Sequence, residues 1–438
     1  MRRPGLDVRL EEGTGGDLRL VARPGEGPPP AILGEALGEA AGRPAHRLVL
    51  AWEGEGPFLG PLVPRPGRVE DLESWLAAGR DLVRRIEEFP VPVVALLTGL
   101  AAGPPLELAL ACRARVAAAT ARIGFPDLQA GTLPGWGGLE RAVALAGPTR
   151  ALEWLLSGAA LPAEAARQWG LVDRVVPGDG DLAAEATRVR PRAPRWPLPD
   201  RLLALLPFLR RMAFSRGRLR ATRMAPDPEA YPAPHRLVRL VELCLSWPPD
   251  EVAEAVRDAV LEAAESPAGR HLPGLLGADA RFRDPDAVVG PVLDRLRRAL
   301  PPEREDRRRF LAEMIAWGFD RVPLGRRLGE ERLLEGLARG RGAELLLSLS
   351  ATPPDPLATR WLPAILAGVL AARSRLGGEV SDLAIDRVLV RELGWPAWRG
   401  GPLAYLADLP RDRALRLLEG ENVSRPGDLL AGLRVPGR

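Results

Sequence analysis

The side chains that carry most enzyme chemistry are scarce in this chain, and their spacing narrows what it can do. Its 438 residues include three histidines, His46, His235 and His271, and two cysteines, Cys112 and Cys244. The cysteines lie far apart in apolar helical patterns, which reads as two buried free thiols in a reducing compartment rather than a disulfide or a metal site. All 61 basic residues are arginine, so the chain has neither a Schiff-base lysine nor the lysine of a phosphate-binding P-loop. The nearest approaches to a dinucleotide-binding loop, Gly54-Glu55-Gly56 and Gly340-Arg341-Gly342, lack a third glycine and the strand-to-helix setting. NAD is therefore expected neither to bind nor to be reduced. His235 and His271 read most simply as surface or packing residues. No resident cofactor and no metal is indicated.

Composition bounds the rest. Hydrophobic residues make up 46% of the chain, enough for a globular protein, and the length suggests two or three domains. No apolar run reaches the ~18 residues of a membrane span. The N-terminus is charged without an apolar segment, so no signal peptide and a soluble, cytoplasmic protein are expected. A net charge of +4 is small for this length. The densest basic stretch, Arg201 to Arg223, includes Arg210, Arg211, Arg216, Arg218 and Arg220. It could attract phosphate groups or nucleic acid, but a solvated helix face explains it more simply. No aromatic interleaving supports a nucleic-acid platform, and no nucleic-acid partner is expected.

Periodicity then places the elements. Leu6–Leu10 and Asp17–Val21 alternate as strands around a Gly13–Gly16 turn, followed by a helix over Ala31–Ala41 and a strand over Leu48–Trp52. Residues Val69–Glu88 have a strong helical period that Pro90 stops. Next come a buried strand Val91–Leu97, a turn over Gly99–Gly103, a helix from Pro104 to about Cys112, and a strand Ala114–Ala118. Strands alternating with helices imply a layered α/β fold with crossover connections. From Arg201 onward the strand signal disappears. Helical patterns follow at Arg236–Leu245, Glu251–Glu265, Ala287–Leu300, Arg307–Trp317, Trp361–Arg373 and Leu383–Leu393. Pro191–Pro199 reads as a linker, and there is no internal repeat.

The stretch from Val91 to Pro177 closely resembles the core of the crotonase (enoyl-CoA hydratase/isomerase) family. Four blocks occur in the family's order: a strand with its glycine turn, ELALAC, FPDLQAGTLPGWGG, and AEAARQWGLVDRVV. Further on, YPAPHRLVRLVE (Tyr231–Glu242) resembles the linker helix of the multifunctional α-subunit of fatty-acid β-oxidation. IDRVLVRELGWPAWRGGPLAYLADLP (Ile385–Pro410) is similar to the last helical region of that subunit's 3-hydroxyacyl-CoA dehydrogenase half. The resemblance implies such a subunit without its NAD-binding domain. The expected fold is an α/β crotonase-like spiral followed by an all-helical C-terminal half. Residues 1–190 would form the acyl-CoA domain, 191–285 a linker with helices, and 286–438 the dehydrogenase-like helical domain.

Hydrating an enoyl thioester requires donors for the developing enolate oxygen and an acid and base for water and carbon. The family resemblance implies that Glu107 and Asp127 are the catalytic carboxylates, the second shorter than the family's glutamate. Glu107 also suits the first turn of a helix on charge alone. The resemblance places substrate contacts at Gly60, Pro61, Gly103, Pro104 and Gly135. Pro61 and Pro104 then fall at the two oxyanion-donor positions, and proline has no N–H. A first-turn proline is also a favoured helix start, and a register shift could let the N–H of Leu62 or Leu106 substitute. Two functions follow. One is a degenerate relative of the β-oxidation α-subunit that binds acyl-CoA or scaffolds partner enzymes; the other is an active 2-enoyl-CoA hydratase or isomerase. A second copy of the chain or a thiolase-like β-subunit is the expected protein partner, with Trp395, Trp398 and Tyr405 either as interface anchors or buried internally by a tail that folds back on residues 231–300.

Overall fold

The computed structural model describes residues 8–13, 16–22, 30–52, 69–178, 180–191, 193–194, 196–276, 285–337, 345–346, 348–349, 355, 358–376, 380–421, 423, 426–431 and 433. Gly60, Pro61, Leu62 and both candidate glycine clusters lie outside these residues. The chain divides into two units, one of residues 1–220 and 233–263, the other of residues 221–232 and 264–438.

In the first unit, strands β1 (Val8–Glu12) and β2 (Leu18–Ala22) pair antiparallel. Then β3 (Leu48–Trp52), β4 (Val93–Leu97), β6 (Ala114–Ala118) and β9 (Arg174–Val176) extend the sheet in parallel, in the order β1-β2-β3-β4-β6-β9. The sequences LVLAW and VVALL carry almost no polar residue because both faces of the sheet's centre are covered. Val49, Ala51, Val94, Leu96 and Val116 share a core with Ala186 of α7 (Leu182–Arg188). Helix α1 (Pro30–Ala41) packs on β2 and on α2 (Val69–Glu87), and α3 (Pro104–Ala111) packs on α2 and β4.

A second, three-stranded sheet corrects the expected turn over residues 99–103. Leu100–Ala102 (β5) pairs in parallel with Arg122–Gly124 (β7), which pairs antiparallel with Leu161–Pro162 (β8). Among the described residues the first strand runs Val8–Glu12, two residues beyond the expected end at Leu10; Leu6 and Asp7 lie outside the described residues. Helices α4 (Gly138–Ala146) and α5 (Pro148–Ser157) follow, then α6 (Ala163–Gln168) between β8 and β9. After α7 come α8 (Leu198–Leu205), α9 (Arg210–Ala213), α10 (Ser215–Met224) and α11 (Ala233–Leu243).

The second unit is helical over its described residues, with a core running through Val292, Leu311, Met314, Leu366 and Leu389. Its centre is aromatic. Trp317 meets Trp361, Trp395 and Tyr405 edge-on, at ring separations of 5.1, 5.2 and 5.5 Å. Of the two readings of the C-terminal tryptophans, this supports internal burial over interface anchors. Trp395 and Trp398 are 1% and 6% exposed, so their apolar surface is already spent on the unit's own core. Cys112 is buried and Cys244 only half-buried, both as free thiols.

Candidate functional site

The first turn of α3 fixes what can bind at its start. Gly103 takes φ 63° and ψ −139°, a region closed to side chains, and turns the chain from β5 into the helix. Pro104 and Pro105 then occupy the first two helical positions, where the missing N–H groups leave no helical bond unmade. The next two N–H groups, of Leu106 and Glu107, both donate to the carbonyl of Gly103, at 2.9 and 3.1 Å. The N–H of Gly103 itself donates to Gly124 O at 3.4 Å. A helix start ordinarily presents unpaired N–H groups to an anion; this one has none to offer. The alternative donor Leu106 is thereby overturned, because its N–H is already engaged.

Glu107 lies in that same turn, 1% exposed, and reaches the start of another helix. Its Oε2 accepts the backbone N–H of Trp136 at 2.8 Å and of Gly138 at 2.7 Å. The carboxyl therefore caps α4, a role that was not apparent from the sequence. The adjacent pair Gly137-Gly138 was the available signal: a Cβ on Gly138 would stand 2.6 Å from Glu107 Cγ. Asp127 opens the 3-10 turn Asp127–Ala130 and is 2% exposed. Burial raises its pKa to about 7. Burial first, then the charge of Asp127, raises Glu107 to about 8, against the two N–H groups that favour its anion. Two carboxyls that titrate near neutrality can exchange protons with a substrate in either direction.

The loop that runs from the Asp127 turn to α4 is tightly walled. The Trp136 indole leaves no room for a side chain at Gly79 on α2, where a Cβ would meet the ring at 2.0 Å. It also packs against Trp75 at a ring separation of 4.8 Å. Gly135 lies against Leu76, with 2.4 Å between an added Cβ and Leu76 Cδ2. Asp127 Oδ2, Thr132 Oγ1 and Trp136 Nε1 are buried with no hydrogen-bond partner among the described residues. The loop thus holds polar capacity that its own fold does not use. The structure brings Gly103, Pro104, Glu107, Asp127 and Gly135 into one unit. Among the described residues no group of three His, Cys, Asp or Glu side chains is placed to hold a metal.

Two other buried charges are structural. Asp173 accepts both the backbone N–H and the guanidinium of Arg115 at 2.8 Å, tying β6 to the approach of β9. In the second unit Asp386 accepts the N–H groups of Leu403 and Ala404, capping the helix Pro402–Asp408 as Glu107 caps α4.

Comparison with known proteins adds to this geometry. Residues 69–192 match the family model for enoyl-CoA hydratase/isomerase. Among solved structures, an enoyl-CoA hydratase from Bacillus anthracis is 26% identical, over 41% of this chain and 73% of its own, with a TM-score of 0.37. One from Mycobacterium avium subsp. paratuberculosis is 22% identical, over 61% and 96%, with a TM-score of 0.38. One from Thermoplasma volcanium is 21% identical, over 59% and 95%, with a TM-score of 0.36.

Proposed function

We propose that this protein, whose residues 69–192 match the enoyl-CoA hydratase/isomerase family model, binds acyl-CoA thioesters but hydrates them slowly or not at all. It serves as a degenerate counterpart of the β-oxidation α-subunit, holding ligand or partner enzymes. One observation carries the reading: the pair Pro104-Pro105 at the start of α3, where every remaining N–H is spent within the turn. Addition of water to a 2-enoyl thioester puts negative charge on the thioester oxygen, and each absent donor slows such a step by ~10²–10³. Pro61, at the other family donor position, acts in the same direction by its chemistry. The reading includes no NAD-dependent step, and takes a second copy of the chain or a thiolase-like subunit as the protein partner.

The buried pair Glu107 and Asp127 favours a second reading, a working hydratase or isomerase, because both acid/base positions are filled and titrate near neutrality. Crotonyl-CoA hydration by the purified chain separates the two. The proposal expects turnover at least ~10³ below the ~10 s⁻¹ typical of enzymes, together with saturable calorimetric binding of a CoA thioester. Turnover within ~10-fold of that value assigns the protein to the second reading. Absence of thioester binding overturns both.

A further inference from the structure

The arginine-rich stretch carries more than a solvated helix face. Among the described residues nine large hydrophobic side chains are exposed, and seven of them fall between Leu198 and Leu219. Leu205 and Phe208 are each 75% exposed, Met212 72% and Leu198 69%. Isolated exposed leucines are ordinary; this many on one short segment mark an interaction surface. Two of them, Leu202 and Met212, line one groove of about 530 Å³. The buried Leu152, Leu156 and Phe214 also line it, together with Arg216 and Arg220.

Charge selects the occupant. From Leu198 to Arg220 the chain has six arginines and a single acid, Asp200. Asp200 is fully buried and bonded to the Thr149 hydroxyl at 2.6 Å, so it does not offset the surface charge. Arg201, Arg211, Arg216 and Arg220 are exposed. Glu153 of α5 is the one carboxylate in the groove's lining. Short helices that expose leucine, phenylalanine and methionine beside arginine suit a surface with anionic headgroups over an apolar layer. The helices α8 to α10 are at most 10 residues long, and no described helix is long and apolar enough to cross a membrane.

We propose that residues 198–220 form a peripheral docking surface for an anionic lipid bilayer, with the exposed apolar side chains entering the headgroup boundary and the arginines contacting lipid phosphates. The proposal is independent of the carboxylate site. Vesicle flotation of the full chain tests it, with phosphatidylcholine alone and with phosphatidylcholine containing phosphatidylglycerol. Binding is expected to the anionic vesicles only, and to weaken at high salt. The triple variant Arg211→Gln/Arg216→Gln/Arg220→Gln should bind at least ~10-fold more weakly, as should Leu205→Ser/Phe208→Ser/Met212→Ser. Circular dichroism of both variants, whose changed side chains are surface-exposed, should match the parent. Failure to float with anionic vesicles, or equal binding to neutral ones, overturns the proposal. So does a sedimentation result in which the parent is an oligomer and the apolar triple variant a monomer, because the face would then belong to a second copy.

Discussion

Glu107 Oε2 accepts the N–H of Gly138 at 2.7 Å, so a side chain in the first turn of α3 closes the first turn of α4. The contact requires glycine. A Cβ at position 138 would lie 2.6 Å from Glu107 Cγ and 2.8 Å from Phe125 Cζ, and Phe125 is held by Trp154 at a ring separation of 5.2 Å.

Gly138→Ala should therefore destabilise the N-terminal unit by ~1–3 kcal/mol, the usual range for overpacking a dense core. Urea unfolding followed by tryptophan fluorescence reads the shift. An unchanged midpoint would mean that Glu107 can withdraw freely and is not fixed by this cap.

The same carboxyl makes stability depend on pH. Burial raises Glu107 from 4.5 to about 8 and Asp127 from 3.8 to about 7. Between roughly pH 4 and 8 the folded chain keeps protons that the unfolded chain has released. These two groups therefore erode stability as pH rises through that window, and do not do so below it. Glu107→Gln keeps an acceptor for the Trp136 and Gly138 N–H groups without the charge. It should match the parent near pH 4 and exceed it by at least ~1 kcal/mol at pH 9. Equal denaturation curves at pH 9 would show that the carboxylate is better solvated than its burial implies.

Arg399 holds the second unit's aromatic centre. Its guanidinium lies 4.0 Å from the Trp317 ring centroid and 4.2 Å from that of Trp398, and it donates to Asp227 at 3.3 Å. Burial lowers its pKa to about 10, with Asp227 opposing the shift. A planar cation between two indoles is a contact that lysine cannot reproduce. Arg399→Lys should lose most of what Arg399→Ala loses, ~2 kcal/mol in chemical denaturation. Full retention of stability by the lysine variant would reduce the contact to simple charge pairing with Asp227.

Much of this architecture was legible in the sequence, for identifiable reasons. The central strands β3 and β4 are continuous apolar runs, β6 is interrupted only by Arg115, and α2 has a clean helical period, so pattern alone locates them. Strands β5, β7 and β8 are two or three residues long, too short for any alternation to show. The family blocks point to Glu107 and Asp127, but not to the backbone groups of Trp136 and Gly138, because a main-chain donor shows in the sequence only through the glycine that lets its acceptor approach, here Gly138. For Trp395 and Trp398 the sequence leaves core and interface open, because composition cannot tell a buried aromatic from an exposed anchor; the structure places both inside. Trp395 meets Trp317 and Phe319, and Trp398 stacks on Tyr231, all more than 70 residues away in the chain.

The test closest to the proposed chemistry is to give α3 back its donor. Pro104 is the first helical residue, and an N–H at that position has no acceptor within the helix. Pro104→Ala therefore adds a free N–H at the family's oxyanion position without loosening the backbone, and Pro104→Gly adds it with more freedom. Both should raise crotonyl-CoA hydration by ~10²-fold over the parent, in kcat more than in KM, because the new bond strengthens as charge develops. Pro105→Ala, which restores an N–H one residue on, should have a smaller effect if position rather than proline content matters. If Pro104→Ala folds normally and hydrates no faster than the parent, the missing donor does not limit turnover, and the account of weak activity fails at this residue.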